Sequence, residues 1–340
     1  MTIVTAEAHA NIALVKYWGK HSVKYNIPAT PSLSITLDAL TTRTRIETDV
    51  SQSQDTILLN GKLLNAPKVN LCVAHLRKLS KNTFPFVKIT SENNFPTAAG
   101  LASSASGYAA LVTALNALGS LNLSTRQLSV FARMASGSAA RSVFGGFTCL
   151  RSSHPESDNQ NDQESEYWYA SQILDAQEWP MQAVIAICTE QTKSTSSSSG
   201  MQLSRNTSPY YESWVSSTKQ DFDHCLQAVR DRDFERVATI SEHSCLKMHG
   251  LMLSTNPGLV YWNAATIECI HALRALRNSG VAVFFTIDAG PQVKAICLPE
   301  AVESVNKVLS AVHGVHRTLI SNLGSAAHIV NSDPADQHDR

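Results

Sequence analysis

The stretch Asn94-Phe-Pro-Thr-Ala-Ala-Gly-Leu-Ala-Ser-Ser-Ala-Ser-Gly107 constrains the fold more than any other part of the chain. An Asn/Pro turn leads to Gly100 and then into small, helix-forming residues that carry Ser103, Ser104 and Ser106. Glycine lets a backbone bend sharply and approach a ligand closely. A helix beginning just after it aims free N–H groups and the positive end of its dipole at the loop. That suits a polyphosphate, with serine hydroxyls at hand for phosphate oxygens or a bound Mg2+. The Walker ending Gly-Lys-Ser/Thr is absent, so the loop is of another kind. The bland alternative is a loop feeding a closely packed helix, but Pro96, Gly100 and the paired serines at fixed offsets favour the phosphate loop.

Around this loop the pattern is mixed, without βαβ regularity. Residues 3–8, 32–37, 42–47 and 56–59 alternate as strands do, and Asn60-Gly61 makes a good hairpin turn. Helices are expected at about 67–80, 101–118 and 124–136, the last opened by a capping box of Ser124 and Gln127. Residues 142–150 return to strand, and the polar run 151–166 reads as a surface loop. Strands at 183–188, 282–287 and 293–297 accompany helices at about 209–230, 233–247, 257–278 and 300–313. Gly280 is a plausible stop after the third of these helices, and the chain from 331 looks frayed. Strand-rich and helix-rich halves fit an α+β architecture with a cleft between lobes.

Composition narrows the function classes. In 340 residues, Lys+Arg 28 balances Asp+Glu 28, so no global field favours nucleic acid or an anionic membrane. No apolar run is long enough to cross a bilayer, and no apolar core follows basic residues near the N-terminus. Cysteines 72, 149, 188, 225, 245, 269 and 297 are scattered without a Cys-x-x-Cys pair, and the twelve histidines form no His-Glu-x-x-His. They read as reduced core residues rather than a disulfide frame or zinc site. A cytoplasmic location is expected.

Two residues stand out chemically. Asp288 follows an apolar strand and opens Asp-Ala-Gly-Pro, so it is either a turn-former or a carboxylate presented at an apolar-walled cleft. Arg141 closes the small-residue segment Ser136-Gly-Ser-Ala-Ala-Arg141, which lets a ligand come close to its fork of donors. It either recognises a planar anion or covers a helix end.

Several strings together resemble one family. Pro-x-x-x-Gly-Leu-x-Ser-Ser is similar to the phosphate loop of the GHMP kinase superfamily, and the longer string from Asn94 resembles the diphosphomevalonate decarboxylases. Ala10-Asn-Ile-Ala-Leu-Val-Lys-Tyr-Trp-Gly-Lys20, Gly137-Ser-Ala-Ala-Arg-Ser142 with Phe144-Gly-Gly146, and Ile287-Asp-Ala-Gly-Pro291 resemble the same family, in order. The resemblance implies a GHMP kinase-like two-lobed fold, with lobes at 1–180 and 181–330, a tail at 331–340 and the active site in the cleft. It implies ATP-dependent decarboxylation of mevalonate 5-diphosphate by a homodimer, with ATP and Mg2+ and neither nucleic acid nor membrane as partner.

The resemblance also implies roles for residues. Asp288, Arg141 and Lys20 would be catalytic, with Asp288 the base. Asn11, Tyr17, Trp18, Lys20, Ser136, Ser138, Arg141 and Ser197 would meet the substrate, Tyr17 and Lys20 facing its diphosphate. Ser91, Asn93, Pro96, Ala98, Ala99, Gly100, Leu101, Ala102, Ser103, Ser104, Ser106, Lys193 and Ser196 would bind ATP, with Ser104 on the metal. Two departures bear on substrate choice. Thr30-Pro31 stands where many relatives have an amide or small polar pair, and Ser198 where some bacterial members have Arg. These leave open a monophosphate decarboxylase or a mevalonate 3-kinase, and more remotely a non-catalytic nucleotide sensor.

Overall fold

The computed structural model describes residues 2–48, 53–80, 84–95, 101–153, 164–191 and 193–330. Its first half is built on β1 (Ile3–Val15), β2 (Lys20–Ser22), β3 (Ile27–Pro28), β4 (Ser32–Thr48), β5 (Thr56–Leu59) and β6 (Lys62–Leu63). Helix α1 (Pro67–Leu79), β7 (Val87–Asn93), α2 (Ser103–Leu118), α3 (Thr125–Ala135), α4 (Ala139–Ser142) and β8 (Phe147–Ser152) follow. Next come α5 (Glu164–Tyr167), β9 (Trp168–Leu174), β10 (Gln182–Ile187), α6 (Ser197–Thr207), α7 (Tyr211–Asp231), α8 (Phe234–Leu253) and α9 (Ala264–Asn278). The order closes with β11 (Val283–Ile287), β12 (Val293–Cys297), α10 (Val302–Ser310), β13 (Arg317–Asn322) and β14 (His328–Val330).

The strands form an eight-stranded sheet centred on β1 and β4 and a four-stranded antiparallel sheet in the order β11-β12-β10-β13. Helices α1–α3 cover one face of the large sheet through Val73, Leu76, Leu111, Leu115 and Ala132. Helices α9 and α10 cover the small sheet through Ile270, Leu273, Val305 and Leu309. A third core joins the sheets, with Ile12, Leu14, Leu33 and Ile35 packed with Ile185, Phe284, Ile296 and residues of α7 and α8. Residues 321–330 cross back into the large sheet. Gly324 N–H donates to the Thr36 carbonyl (2.8 Å), and β14 pairs with β1. Gly145 is required there, because a Cβ would stand 2.7 Å from the Ala326 nitrogen.

The capping box at Ser124 and Gln127 is present, and Gly280, at φ +95°, follows the end of α9 as expected. Four expectations are corrected. Residues 32–37 and 42–47 belong to one 17-residue strand, because residues 38–40, extra on β4 opposite His9/Ala10, interrupt its period-2 pattern without ending it, and β1 runs on to Val15, buried on both faces from Ala8. Residues 139–142 are helical, so β8 begins only at Phe147. Arg151 and Ser152 are strand and 164–167 helix, while 154–163 lie outside the described residues. Helix α9 starts at Ala264 rather than 257, where Asn263 forms its own capping box with Thr266. The tail from 331 also lies outside the described residues.

Candidate active site

A cavity of ≈ 360 Å³ lies where the ends of β1 and β11 meet the first turns of α2 and α6. Lys16, Lys20, Lys68, Arg141 and Lys193 line it, against Asp288 as the one carboxylate among the described lining residues. Helix α2 is entered through Ala102 in the left-handed region (φ +57°), with no acidic residue in its first turn and no side-chain cap bond among the described residues. Its free N–H groups and dipole are therefore available to an anion. The α6 N-terminus brings Ser196, Ser197 and Ser198 to the same cavity, with Ser196 accepting from the Ser199 N–H as helix cap. A space so lined selects a polyanion.

At its base Lys16 Nζ donates to Asp288 Oδ1 at 2.8 Å, with Lys16 1% and Asp288 26% exposed. Burial alone would raise the Asp288 carboxyl. Lys16, Lys294 and Arg141 outweigh it, and the carboxyl lies below its ordinary range. It is thus ionised at neutral pH and open on one side to a ligand. Lys294 lies buried behind it, its own pKa drawn down to about 8 by burial against the pull of Asp288.

Arg141 is 2% exposed and gripped by strands of the large sheet. Its Nε donates to Ser34 Oγ (2.9 Å), Nη1 to Ser32 Oγ (2.5 Å) and Nη2 to Asn11 Oδ1 (3.1 Å). Asn11 is itself fixed by donating to Ser142 Oγ (2.7 Å) and the Ser138 carbonyl (3.0 Å). One N–H on each terminal nitrogen is outside these bonds, and Arg141 lines the cavity with its guanidinium preset. Burial draws its pKa down to about 10, against the pull of Asp288, and it stays cationic at neutral pH.

Lys20 Nζ reaches Ser198 Oγ at 3.4 Å. Burial, and then Lys68, pull the Lys20 pKa down to about 8. Two cations held close to one another await an anion. Lys193 Nζ donates to Ser197 Oγ (2.7 Å) and the Ala289 carbonyl (3.1 Å), which ties the α6 loop to the Asp288 turn. The Tyr17 hydroxyl is buried with no hydrogen-bond partner among the described residues, and burial pushes the phenol up, so it remains a donor. It leans on Gly137, where a Cβ would stand 2.5 Å from Tyr17 Oη. Trp18 lines the cavity while its indole N–H is committed to Ser204 Oγ (3.0 Å).

A second, apolar slot of ≈ 210 Å³ adjoins the start of α2 and shares Ser103, Ser104 and Tyr108 with the cationic cavity. Ile57, Leu59, Val69, Ile89 and Leu111 line it, with Ser91 and Asn93 at polar positions. A base in this slot would place its phosphates at the α2 N-terminus. Leu101, Ala102, Ser103, Ser104, Ser136 and Ser138 line the cationic cavity. Ser106 does not: its buried hydroxyl bonds Thr42 Oγ1 (2.6 Å), one helical step off the exposed face of α2. Pro96, Ala98, Ala99 and Gly100 lie outside the described residues. Lys193 and Ser196 sit across the cavity from α2, beside Ser197. No cluster of His, Cys, Asp or Glu among the described residues could hold a metal. Ser104 Oγ, 3.3 Å from Ser136 Oγ, is nevertheless a suitable hard donor for Mg2+, which keeps few protein ligands beside phosphates and water.

Lys16, Lys68 and Lys294 were not assigned from sequence. Two carry a readable signal. Lys68 stands in the first turn of α1, the wrong end of a helix dipole for a cation, and Lys294 interrupts an apolar buried strand. Thr30 is buried and stands outside the lining of both cavities.

A two-lobed α+β frame, a helix N-terminus between a base slot and a cationic cavity, and one ionised carboxylate define a GHMP kinase-like enzyme that acts on an anionic small molecule with ATP. The comparisons agree on a narrower group. Residues 8–161 match the diphosphomevalonate decarboxylase-like N-terminal domain, and 183–337 the mevalonate 5-diphosphate decarboxylase C-terminal domain. The diphosphomevalonate decarboxylase of Candida albicans is 36% identical over 92% of this chain and 88% of its own. The complex of MDDEF with MVAPP, AMPPCP and magnesium is 35% identical, with a TM-score of 0.86 over 97% of this chain and 100% of that one. The Staphylococcus aureus mevalonate diphosphate decarboxylase is 30% identical, with a TM-score of 0.87 over 97% of this chain and 98% of that one. The chain belongs to the diphosphomevalonate decarboxylase family, which are ATP-dependent carboxy-lyases.

Proposed function

We propose that this chain converts mevalonate 5-diphosphate and ATP to isopentenyl diphosphate, CO2, ADP and phosphate, with Asp288 as base and Arg141 as the carboxylate's partner. One observation carries the reading: the ionised Asp288 is the one carboxylate among the described lining residues, facing five cations between two helix N-termini. ATP lies with its base in the apolar slot and its phosphates over Ser103 and Ser104. The substrate's diphosphate meets Tyr17, Lys20, Lys68 and Ser197. Its carboxylate takes the two outward N–H groups of Arg141. Ser104 would hold Mg2+ with ATP, and the ion would supply charge neutralisation on the phosphates. Asp288 accepts the 3-hydroxyl proton as that oxygen takes the γ-phosphoryl group. The C–O bond then breaks with its electron pair leaving on phosphate, and the C–C bond to the carboxylate supplies the electrons of the new double bond. The leaving phosphate is the electron sink, so residues contribute position and electrostatics.

The seven cysteines are free and buried, which supports a reducing compartment such as the cytoplasm. The homodimer implied by the resemblance belongs to the same reading. The test of activity follows ADP, CO2 and free phosphate together, with excess ATP–Mg2+ and either mevalonate 5-diphosphate or the 5-phosphate. Equal yields of all three, with the diphosphate preferred, are expected. ADP without CO2 would make the protein a kinase, and preference for the monophosphate would overturn the substrate.

Lys20 gives the reading a pH signature. Its lowered pKa means that the free enzyme loses this charge as pH rises through about 8, so kcat/KM for the diphosphate falls on the alkaline side. At saturation kcat is flatter, because the bound anion holds the proton on. Lys20→Arg removes the Lys20 share of the alkaline limb, since guanidinium does not titrate there, and leaves only what Lys294, also near 8, contributes. A limb of undiminished size and position in that variant would take Lys20 out of the diphosphate site.

A further inference from the structure

Strand β11 is an edge, hydrogen-bonded as a strand only to β12 among the described residues. Its outward backbone groups are buried and need partners from elsewhere. Helix α8 supplies them. Glu242 Oε1 accepts from the Phe285 N–H (3.3 Å), and Cys245 Sγ accepts from the Ile287 N–H (3.2 Å). The Cys245 thiol also reaches the Ile287 carbonyl, at 3.6 Å. His249 Nε2 is 3.3 Å from the same carbonyl, but that nitrogen receives the Trp262 indole N–H at 3.2 Å. An indole N–H only donates, so Nε2 bears no proton and the carbonyl is left to the thiol. Burial favours both forms: it pushes the His249 imidazolium down to about 3 and the Cys245 thiol up to about 11.

Residue 287 immediately precedes the base. One residue before Cys245, Ser244 Oγ accepts from the Lys16 N–H at 3.0 Å. A single helix thus grips the backbone on both sides of the Lys16–Asp288 pair, whose members come from different sheets. We propose that Cys245 is a positioning residue for Asp288: its thiol clasps both backbone groups of Ile287 and, with Ser244 holding Lys16, sets the carboxylate at reacting distance. The inference rests on Asp288 acting as base.

The test measures kcat, KM and Tm for Cys245→Val, Cys245→Ala and Cys245→Ser in the full chain, and for Cys245→Val in an Asp288→Asn background. Misplacing a reacting group by about 1 Å costs up to about 10²-fold. We therefore expect Val and Ala to lose at least about tenfold in kcat, with both KM values within about twofold. Serine, which still accepts and donates, should stay within about threefold of the parent kcat. In the Asp288→Asn background the valine should cost nothing further, because the group it misplaces is already gone. Equal losses for Ser and Val, a loss confined to KM or Tm, or a full additional loss in the double variant would overturn the inference. If Asp288→Asn alone retained normal kcat, the base assignment itself would fail, and that outcome is separate from the others.

Discussion

Asp288→Asn is expected to lower kcat by about 10²–10⁴-fold while both KM values move by less than about threefold. The amide keeps the size and most contacts of the carboxylate but cannot take the hydroxyl proton. Near-normal turnover in a folded variant would remove Asp288 from the chemistry. The pH dependence carries the same argument. A carboxyl held below its ordinary range is ionised at every pH above its folded value and is lost only as pH falls through that value. No Asp288 limb should therefore enter kcat/KM between about pH 7 and about pH 5. Lys16→Met withdraws the largest favourable charge, leaves burial to dominate, and should bring such a limb up into this window. A profile unmoved by Lys16→Met would show that the 2.8 Å ion pair does not tune the base.

Arg141→Lys should cost about 10²-fold or more in kcat/KM although the charge is retained. A lysine has no fork to offer a carboxylate, and it abandons Ser32, Ser34 and Asn11, which the guanidinium holds together. The loss of these buried partners should also cost on the order of 1–3 kcal/mol of stability. Arg141→Gln should be worse in activity. If both variants lost only stability and kept full specific activity, Arg141 would be a brace for the sheet.

The chemistry of single positions was legible in the sequence where a residue type was improbable for its local structure or matched a family string. Asp288 at a strand end, Arg141 after small residues and Ser103-Ser104 after the Pro/Gly loop lie around one cavity. The partners of these groups were not legible, because they are set by pairing across the fold. Asn11, Ser32 and Ser34 reach Arg141 only because β1 and β4 lie side by side behind α4. Lys16 became the partner of Asp288 through the meeting of two sheet ends, 272 residues apart in sequence. Period-2 reading ended β1 early because the strand is buried on both faces from Ala8 onward, which hides the alternation. The serine run 196–199 opens a helix: its first serine caps α6, the role for which serine's short hydroxyl suits it best.

The return of residues 321–330 to the large sheet bears on how such a chain comes into being. Domains generally mature in the order of synthesis, each closing before the next is complete. Here the sheet laid down first keeps a seam beside Thr36 and Gly146 that residue 324 occupies, and a side of β1 that β14 covers. The half carrying α2 must therefore wait, unfinished, while the half carrying Asp288 is made. Neither wall of the cavity matures ahead of the other, and the cell meets the two as one.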